Sequence, residues 1–227
     1  MKKNAVPDFD IEDNLRLPSP ALIAGVDEVG RGPLAGPVTA AAVVLHRAKC
    51  PNRVLSKIND SKKLNVKTRQ FLFDEIQQVS AIGIGWANTE EIDRKNIHWA
   101  TMLAMQRAII ALERNLPRKL DFALIDGNRV PELNCSAKSV VKGDAKSMSI
   151  AAASIIAKCT RDSYMNKLSK RYPGYGWDRN AGYGTREHLD ALNFLGLTDQ
   201  HRRSFGPIAR QVTLRPRNNA YQFVDDS

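Results

Sequence analysis

The chain has 227 residues, with 34 Lys and Arg against 24 Asp and Glu, so its formal net charge is +10. This length suits one domain, or one domain with a small appendage. With 43% hydrophobic and 26% charged residues, the composition is that of a globular protein and excludes a disordered chain. Residues 127–227 carry 16 basic and 9 acidic side chains, so the excess lies in the C-terminal half. It predicts an anionic partner, which is nucleic acid or a membrane surface, unless the charge only keeps the surface solvated.

The apolar runs and the cysteines narrow the class of protein. No apolar run approaches the roughly 18 residues that a membrane span needs. The first residues lack the apolar core of a secretory signal. Cys50, Cys135 and Cys159 are odd in number and widely spaced, which favours free thiols over disulfides or a zinc site. We therefore expect a cytoplasmic protein without a membrane partner.

Apolar runs and helical periodicity predict the elements along the chain. Residues 1–20 contain three prolines and are predicted to form a flexible lead-in. Strands are predicted at residues 21–26, 38–45, 81–87, 122–125 and 139–141, and helices at 66–79, 96–116, 147–171 and 186–195. This order predicts an α/β domain over residues 21–212 around a mixed sheet flanked by helices, with residues 158–212 as a basic helical extension. Residues 213–227 are predicted to form a mobile tail.

Carboxylates stand at the ends of three predicted strands. Asp27 and Glu28 close the first strand, Asp126 closes the fourth, and Asp144 follows the fifth. Strand carboxyl ends meet at one edge of an open α/β sheet, where four acids would repel one another unless cations neutralised them. Mg²⁺ and Mn²⁺ prefer such oxygen ligands, and two such ions drive in-line displacement at phosphorus. Alternatively, each acid is a turn former or a helix cap.

The adjacency of Asp27 and Glu28 sets a condition on this site. Neighbouring residues of a strand point to opposite faces of the sheet. The two side chains are therefore expected to share a site only if the strand bends at Val29 and Gly30.

The segment Ile23-Ala24-Gly25-Val26-Asp27-Glu28-Val29-Gly30-Arg31-Gly32-Pro33 resembles the signature of the bacterial type 2 ribonuclease H family, ribonuclease HII. Further segments match that family in the same order, at residues 59–64, 124–128, 141–144, 149–162, 182–188 and 201–205. The resemblance covers about residues 21–210. Type 3 relatives carry a sizeable extra N-terminal domain, so the short lead-in favours type 2.

The resemblance implies a fold and an activity. It implies an RNase H-like fold and an endonuclease that cleaves RNA paired with DNA. It also implies incision 5′ of single ribonucleotides in duplex DNA, leaving 3′-hydroxyl and 5′-phosphate ends, as in ribonucleotide excision repair and RNA primer removal. Asp27, Glu28, Asp126 and Asp144 match the catalytic, metal-binding carboxylates of the family, which implies Mn²⁺ or Mg²⁺ as cofactor, with two ions in the catalytic complex.

The substrate contacts follow from the same resemblance. Gly30, Arg31, Gly32 and Tyr183 match the residues with which the family reads the ribose 2′-hydroxyl. Candidate phosphate contacts are the basic residues near the motifs: Lys62, Lys63, Lys142, Lys146, Arg202 and Arg203. Each of these has a solvated surface residue as its alternative. His188 is expected to orient a loop through a hydrogen bond.

The C-terminal tail carries one further hypothesis. Residues 221–223, Tyr-Gln-Phe, resemble a short element with which some relatives hold a replication clamp. The alternative is a frayed terminus.

Two rival functions stay open at this point. One is a non-catalytic module that binds RNA–DNA hybrids through the basic face. Four gathered acids argue against it, because acids beside phosphates weaken binding. The other is a different two-metal nuclease of this fold, such as a junction resolvase, which has no use for a reader of the 2′-hydroxyl.

Overall fold

The structure is a computed structural model that describes residues 6–214. Its centre is a five-stranded sheet made of β1 (Ile23–Val29), β2 (Val38–Leu45), β3 (Ser80–Ala87), β4 (Phe122–Asp126) and β5 (Ser136–Val140). The strands lie in the order β3-β2-β1-β4-β5. The pairs β1–β2 and β2–β3 are antiparallel, whereas β4 runs parallel to both β1 and β5. The predicted mixed sheet flanked by helices is confirmed.

The helices complete the architecture. They are α1 (Asp10–Asp13), α2 (Asn52–Leu55), α3 (Val66–Val79), α4 (Thr89–Lys95), α5 (Ile97–Glu113), α6 (Met148–Arg171), α7 (Trp177–Asn180), α8 (Arg186–Leu195) and α9 (Gly206–Leu214). Two short 3₁₀ turns occur at Arg47–Lys49 and Gly143–Ala145. No helix within residues 6–214 is long and apolar enough to span a membrane.

Helices cover both faces of the sheet. On one face, the small residues Ala104 and Ala108 of α5 pack with Ala40 and Ala42 of β2. On the other face, Leu72 and Ile76 of α3 and the alanine-rich start of α6 pack against β2. Helical spacing in the sequence produced these apolar faces, and their burial orients the helices around the strands.

Two glycines in β3 allow α5 to lie directly on the sheet. A Cβ atom at Gly83 would stand 2.1 Å from the carbonyl oxygen of Ala108, and one at Gly85 would stand 2.0 Å from that of Ala104. A larger residue at either position would push the helix away. The glycines that weaken the strand pattern in the sequence are therefore needed for packing.

The lead-in that was predicted to be flexible contains a short helix, and residues 8–13 contact the rest of the chain. Residues 10–13 form α1, and the Glu12 carboxylate accepts hydrogen bonds from Ser147 Oγ at 2.7 Å and from the Ser149 amide at 3.0 Å. The amide of Met148 also donates to the Asp8 carbonyl at 2.8 Å. Buried Glu12 pairs with Ser147 and Ser149, which lie far along the chain, so the sequence around Glu12 does not predict this anchoring. The N-terminal segment thus fixes the start of α6.

The C-terminal helices have a smaller core of their own. Tyr175, Trp177, Leu192 and Ile208 pack with Leu34 and Ala35, which belong to the loop between β1 and β2. The basic extension therefore holds the loop that follows β1. Helix α9 continues to Leu214, two residues beyond the predicted domain end, and residues 215–227 with the Tyr-Gln-Phe element lie outside the described residues.

Candidate active site

Three of the four predicted carboxylates converge at the end of β1 and β4. One oxygen each from Asp27, Glu28 and Asp126 lies within 4.8 Å of the other two. Asp27 is buried, and its Oδ1 accepts a hydrogen bond of 2.8 Å from the Glu28 amide. The Asp126 Oδ1 accepts one of 2.6 Å from the Gly143 amide. This oxygen-rich cluster has the donor chemistry of a divalent-cation site.

The predicted bend at Val29 is not needed for this convergence. β1 stays paired with β2 as far as Val29, so the strand continues through both acids. The pairing of β1 with β4 ends earlier, at Val26 and Ile125. Asp27 and Glu28 therefore lie beyond the last residue of β1 that pairs with β4, and their carboxylates meet that of Asp126 at this end of the sheet.

Asp144, the fourth predicted carboxylate, lies outside this group of three but close enough to interact with the charges of Asp27 and Asp126. It lies in the 3₁₀ turn Gly143–Ala145, whose preceding residue Lys142 adopts a left-handed conformation with φ of 56°. The bond from the Gly143 amide to Asp126 ties this turn to the end of β4. Left-handed backbone at a non-glycine residue is strained and concentrates at functional sites.

Burial and mutual repulsion shift the pKa values of these acids. Burial, followed by the charges of Glu28, Asp126 and Asp144, raises the pKa of Asp27 well above its ordinary value. Burial also raises the pKa of Glu28, although its ion pair with Arg31, at 3.2 Å, opposes the shift. The cluster therefore carries uncompensated negative charge, which a cation would relieve.

Lys62 supplies a second positive charge beside the acids, in addition to Arg31. Burial alone would lower the pKa of its ammonium, but the charges of Asp27, Asp60 and Asp144 outweigh burial and raise it. Burial and the charges of Asp126 and Asp60 raise the pKa of Asp144, against the charge of Lys62. Asp60, a residue not selected from the sequence, thus belongs to the electrostatic surroundings of the site.

The loop that carries Lys62 and Lys63 is fixed from beneath. The amide of the buried Ser61 donates to Ser154 Oγ at 3.2 Å, and Arg69 Nη1 donates to the Ser61 carbonyl at 2.8 Å. Both lysines are exposed, and Lys62 lies close enough to Asp27 and Asp144 to interact with their charges. Their role as phosphate contacts stays a prediction.

The turn after β1 meets the predicted tyrosine. Gly30 has a φ of 89°, which is strained for any residue with a side chain. A Cβ atom at Gly32 would lie 3.4 Å from Cε1 of Tyr183, so the two segments touch. The Tyr183 ring remains 44% exposed. The structure thus brings Gly30, Arg31, Gly32 and Tyr183 together beside the carboxylates.

Comparison with known proteins shows the family to which this chain belongs. A family model described as "Ribonuclease HII" matches residues 24–207. The chain belongs to the ribonuclease HII family. It is 50% identical over 204 residues to the ribonuclease HII of Wolbachia sp. subsp. Brugia malayi (strain TRS), covering 90% of this chain and 95% of that protein. It is 53% identical over 205 residues to the ribonuclease HII of Jannaschia sp. (strain CCS1), covering 90% and 97%. The protein is therefore a ribonuclease H, a hydrolase that cleaves RNA in RNA–DNA hybrids.

Solved structures share the fold. The ribonuclease H2 of Pyrococcus horikoshii OT3 superposes with a TM-score of 0.68 at 25% identity and covers 83% of this chain and 95% of that one. The PCNA:RNase HII complex of Archaeoglobus fulgidus gives 0.65 at 22%, covering 91% and 100%. Bst-RNase HIII in complex with Mn²⁺ gives 0.67 at 18%, covering 87% and 71%. The last two likenesses concern the fold alone.

Within this ribonuclease HII fold, His188 lies below the tyrosine loop. It is buried, and its Nδ1 lies 3.0 Å from the Tyr183 carbonyl oxygen. Its Nε2 lies 3.1 Å from both Trp177 Nε1 and His201 Nε2. These contacts agree with the predicted orienting role. His201, a buried partner in the motif at residues 201–205, was not selected from the sequence.

Arg202 is wrong as a phosphate contact. Its side chain is fully buried, and its three donors bond to the carbonyl oxygens of Gly30, Arg31 and Gly36. The Lys146 ammonium is exposed but donates to the Val141 carbonyl at 2.7 Å. Arg203 is exposed. Its backbone amide donates a hydrogen bond to the Asp93 carboxylate. From the sequence alone, the adjacent residues Arg202 and Arg203 cannot be told apart as buried and exposed.

A groove of about 690 Å³ opens from the carboxylates toward α5. Glu28 and Asp126 line one end, and His98, Trp99 and Arg129 line the remainder. The Trp99 side chain is 37% exposed, and Arg31 Nη2 donates to His98 Nδ1 at 3.1 Å. The groove was not predicted from the sequence, because α5 has the apolar pattern of an ordinary core helix.

Proposed function

We propose that Asp27, Glu28, Asp126 and Asp144 hold two Mg²⁺ or Mn²⁺ ions and hydrolyse the phosphodiester to 3′-hydroxyl and 5′-phosphate ends. The convergence of three carboxylates within 4.8 Å is the observation that carries this proposal. The donor set is all oxygen, and burial together with mutual repulsion raises the pKa values of Asp27 and Asp144, a penalty that bound cations would relieve. When bound, such ions activate a water molecule and stabilise the leaving oxygen.

The chain's own residues hold the reacting groups in place. The Gly143 amide fixes the Asp126 carboxylate through one of its oxygens. The ion pair with Arg31 fixes Glu28. Lys62 offsets part of the negative charge where an anionic phosphate has to enter. Preorganised charges of this kind act without reorganisation during the reaction.

The second part of the proposal is incision 5′ of a single ribonucleotide in duplex DNA, the entry step of ribonucleotide excision repair. Gly30 and Gly32 let the backbone approach a sugar closely, and the exposed Tyr183 ring stands in contact with that turn. A site that bonds a hydroxyl rejects a ligand lacking it, because its polar groups are then left unpaired. The adjacency of this turn to the carboxylates supports selection of the sugar at the cleaved bond.

The nucleic-acid strands are proposed to lie across the exposed lysines and the groove. Lys62, Lys63, Lys142 and Arg203 would contact phosphates, and Trp99 would pack against a sugar or base. Removing one of these phosphate-binding charges should reduce the slope of log K against log salt by about 1. Binding titrations of Lys63→Gln should show this change, whereas Lys119→Gln, exposed at the amino end of β4, should keep the wild-type slope.

The deciding experiment uses an end-labelled duplex with one ribonucleotide. The cut is mapped with Mg²⁺, Mn²⁺ and EDTA, for the wild type and for Asp126→Asn. We expect a metal-dependent cut 5′ of the ribonucleotide, absent in EDTA. In the variant the rate should fall about a thousandfold while hybrid binding persists, since a cation site contributes several kcal/mol. Wild-type turnover by the variant would remove Asp126 from the site, and no cut with either metal would favour a binding module.

Two further expectations remain proposals. One of the solved structures with this fold is the PCNA:RNase HII complex from Archaeoglobus fulgidus. By analogy, the C-terminal Tyr-Gln-Phe of this chain would contact a replication clamp. A cytoplasmic location likewise stays a prediction.

A further inference from the structure

Two buried arginines lie beneath the turn that follows β1. Arg161, on α6, and Arg202, in the segment before α9, are both fully buried. All six hydrogen bonds that these two side chains make in the described part of the chain end on backbone carbonyl oxygens. Burying a guanidinium costs several kcal/mol, so a buried arginine needs a compensating network.

Arg202 holds the start of the loop. Its Nη2 donates to the Gly30 carbonyl, its Nη1 to Arg31 at 2.9 Å, and its Nε to Gly36 at 2.9 Å. These three acceptors lie on both sides of the turn. One planar group therefore fixes the spacing between the two ends of the Gly30–Gly36 loop.

Arg161 joins that loop to the tyrosine segment. Its Nε donates to Pro37 and its Nη2 to Ala35, while its Nη1 donates to the Ala181 carbonyl at 2.9 Å. Gly30 packs directly on this side chain, since a Cβ atom there would stand 2.2 Å from Arg161 Nε. The Leu34 amide also donates to the Gly182 carbonyl at 2.8 Å. These hydrogen bonds join the Gly30–Gly36 loop to the segment before Tyr183, so the two segments are held together.

Both cations keep their charge in this position. Burial lowers the pKa of Arg161 to about 10 and that of Arg202 to about 9, and both values lie above neutral pH. Neutral side chains of similar volume would avoid the desolvation cost. A planar cation, by contrast, bonds several diverging carbonyl groups at once.

We propose that Arg161 and Arg202 are positioning residues that set the selectivity for the 2′-hydroxyl, because they lock Gly30–Gly32 and Tyr183 into one rigid reader. This inference rests on the proposed function of that turn and tyrosine. The arginines themselves touch no substrate. They act through the backbone whose carbonyl groups they hold.

The test compares two duplexes that differ at one sugar, a ribonucleotide and its 2′-fluoro analogue. The readout is the ratio of their kcat/KM values, in the wild type and in Arg202→Lys and Arg161→Lys. A lysine keeps the charge, but its three donors share one nitrogen, so they cannot reach the same separated carbonyl groups as the planar guanidinium. Since small displacements of a reacting group cost about a hundredfold in rate, we expect each ratio to fall by tenfold or more. Mn²⁺ affinity, followed by titration calorimetry, should stay within twofold.

The ratio separates positioning from a general loss of stability, which lowers both rates together. Arg107→Lys is the matched control, because Arg107 also donates to a backbone carbonyl, that of Trp86, away from the turn. If both lysine variants keep the wild-type ratio, the inference is overturned, whatever happens to the overall rate. If Arg202→Lys does not fold, the Arg161→Lys ratio decides. Tyr183→Ala distinguishes the two failures: an unchanged ratio there removes the proposed reader itself, whereas a changed ratio with unaffected lysine variants removes this inference alone.

Discussion

The imidazole rings of His188 and His201 meet Nε2 to Nε2 at 3.1 Å inside the C-terminal core. Their neighbours fix both tautomers. Trp177 donates to His188 Nε2, so His188 carries its proton on Nδ1 and donates it to the Tyr183 carbonyl. The Thr198 amide donates to His201 Nδ1, so His201 carries its proton on Nε2 and donates it to His188. The network is satisfied only when both rings are neutral.

This pair predicts a loss of stability in acid. Burial, with the neighbouring His188, lowers the pKa of His201 to about 3, whereas an unfolded histidine has about 6.5. Between these values the unfolded chain binds a proton that the folded chain excludes. The free energy of unfolding therefore falls as pH falls below 6.5, by about 1.4 kcal/mol per pH unit for His201.

Urea unfolding at pH 7 and pH 5 measures this contribution. His201→Gln should lose less stability than the wild type between these values, by about 2 kcal/mol. The difference between the proteins matters, because carboxylates with raised pKa, such as Asp27, act in the opposite direction. His46→Gln, outside this core, is the control with the wild-type pH dependence. Parallel curves for all three proteins would contradict the assignment.

Removal of one repelling charge should stabilise the metal-free protein. Asp27 is buried among three other acids, and its raised pKa shows that the ionised form is disfavoured. Asp27→Asn keeps the shape without the charge. In EDTA we expect a higher Tm, with about 2–4 °C for each kcal/mol regained. The gain in Tm on adding Mn²⁺, large in the wild type, should shrink in the variant. A lower Tm in EDTA would show that burial and repulsion of the Asp27 charge do not destabilise the metal-free protein.

Local periodicity predicts much of this fold. The bounds of Val38–Leu45, Val66–Val79 and Arg186–Leu195 agree with the predicted segments, because the strand is one continuous apolar run and each of the two helices repeats an apolar pattern over two turns or more. The strand Ser136–Val140 was predicted three residues too late, at 139–141. It is an edge strand in which exposed and half-buried residues alternate, so it has no apolar run to detect.

For the site, too, the sequence predicts some residues and misses others. The acids at strand ends are visible in the sequence, because strand direction brings Asp27, Glu28 and Asp126 to the same edge of the sheet. The burial of Arg161 and Arg202 depends on carbonyl groups of a distant loop, which no local pattern encodes. A signal did exist for Arg161, since it continues the buried stripe of α6 at four-residue spacing between Ala157 and Met165. A charged residue within such a stripe indicates buried acceptors on a neighbouring segment.

The anchored N-terminus predicts a stability effect far from its position in the sequence. The Glu12 carboxylate accepts two hydrogen bonds at the start of α6, close after Asp144. Glu12→Ala leaves a buried hydroxyl and amide without this partner, which costs about 1–3 kcal/mol. Glu12→Gln keeps an acceptor oxygen and should lose less. Chemical unfolding measures both variants.

The neighbouring residue provides the control. Asp13 pairs with Arg47 at 3.0 Å on the surface, and both side chains are more than half exposed. Such pairs contribute about 0–1 kcal/mol. If Asp13→Ala destabilises the protein as much as Glu12→Ala, the effect belongs to the helix as a whole and the specific anchor is disproved.

The tyrosine beside Gly32 predicts a change in substrate choice. An aromatic contact to a nucleotide contributes about 1–3 kcal/mol, so Tyr183→Ala should reduce kcat/KM on a single embedded ribonucleotide by about a hundredfold. Tyr183→Phe separates the ring from its hydroxyl. Tyr164→Ala is the matched control, because Tyr164 is similarly exposed at 37% but packs on Trp86 at 5.2 Å between ring centres. Steady-state cleavage of the same duplex measures all three. Equal rates for the wild type and Tyr183→Ala would exclude the ring from sugar recognition, and an equal fall in Tyr164→Ala would point to a general role of exposed aromatics in holding the duplex.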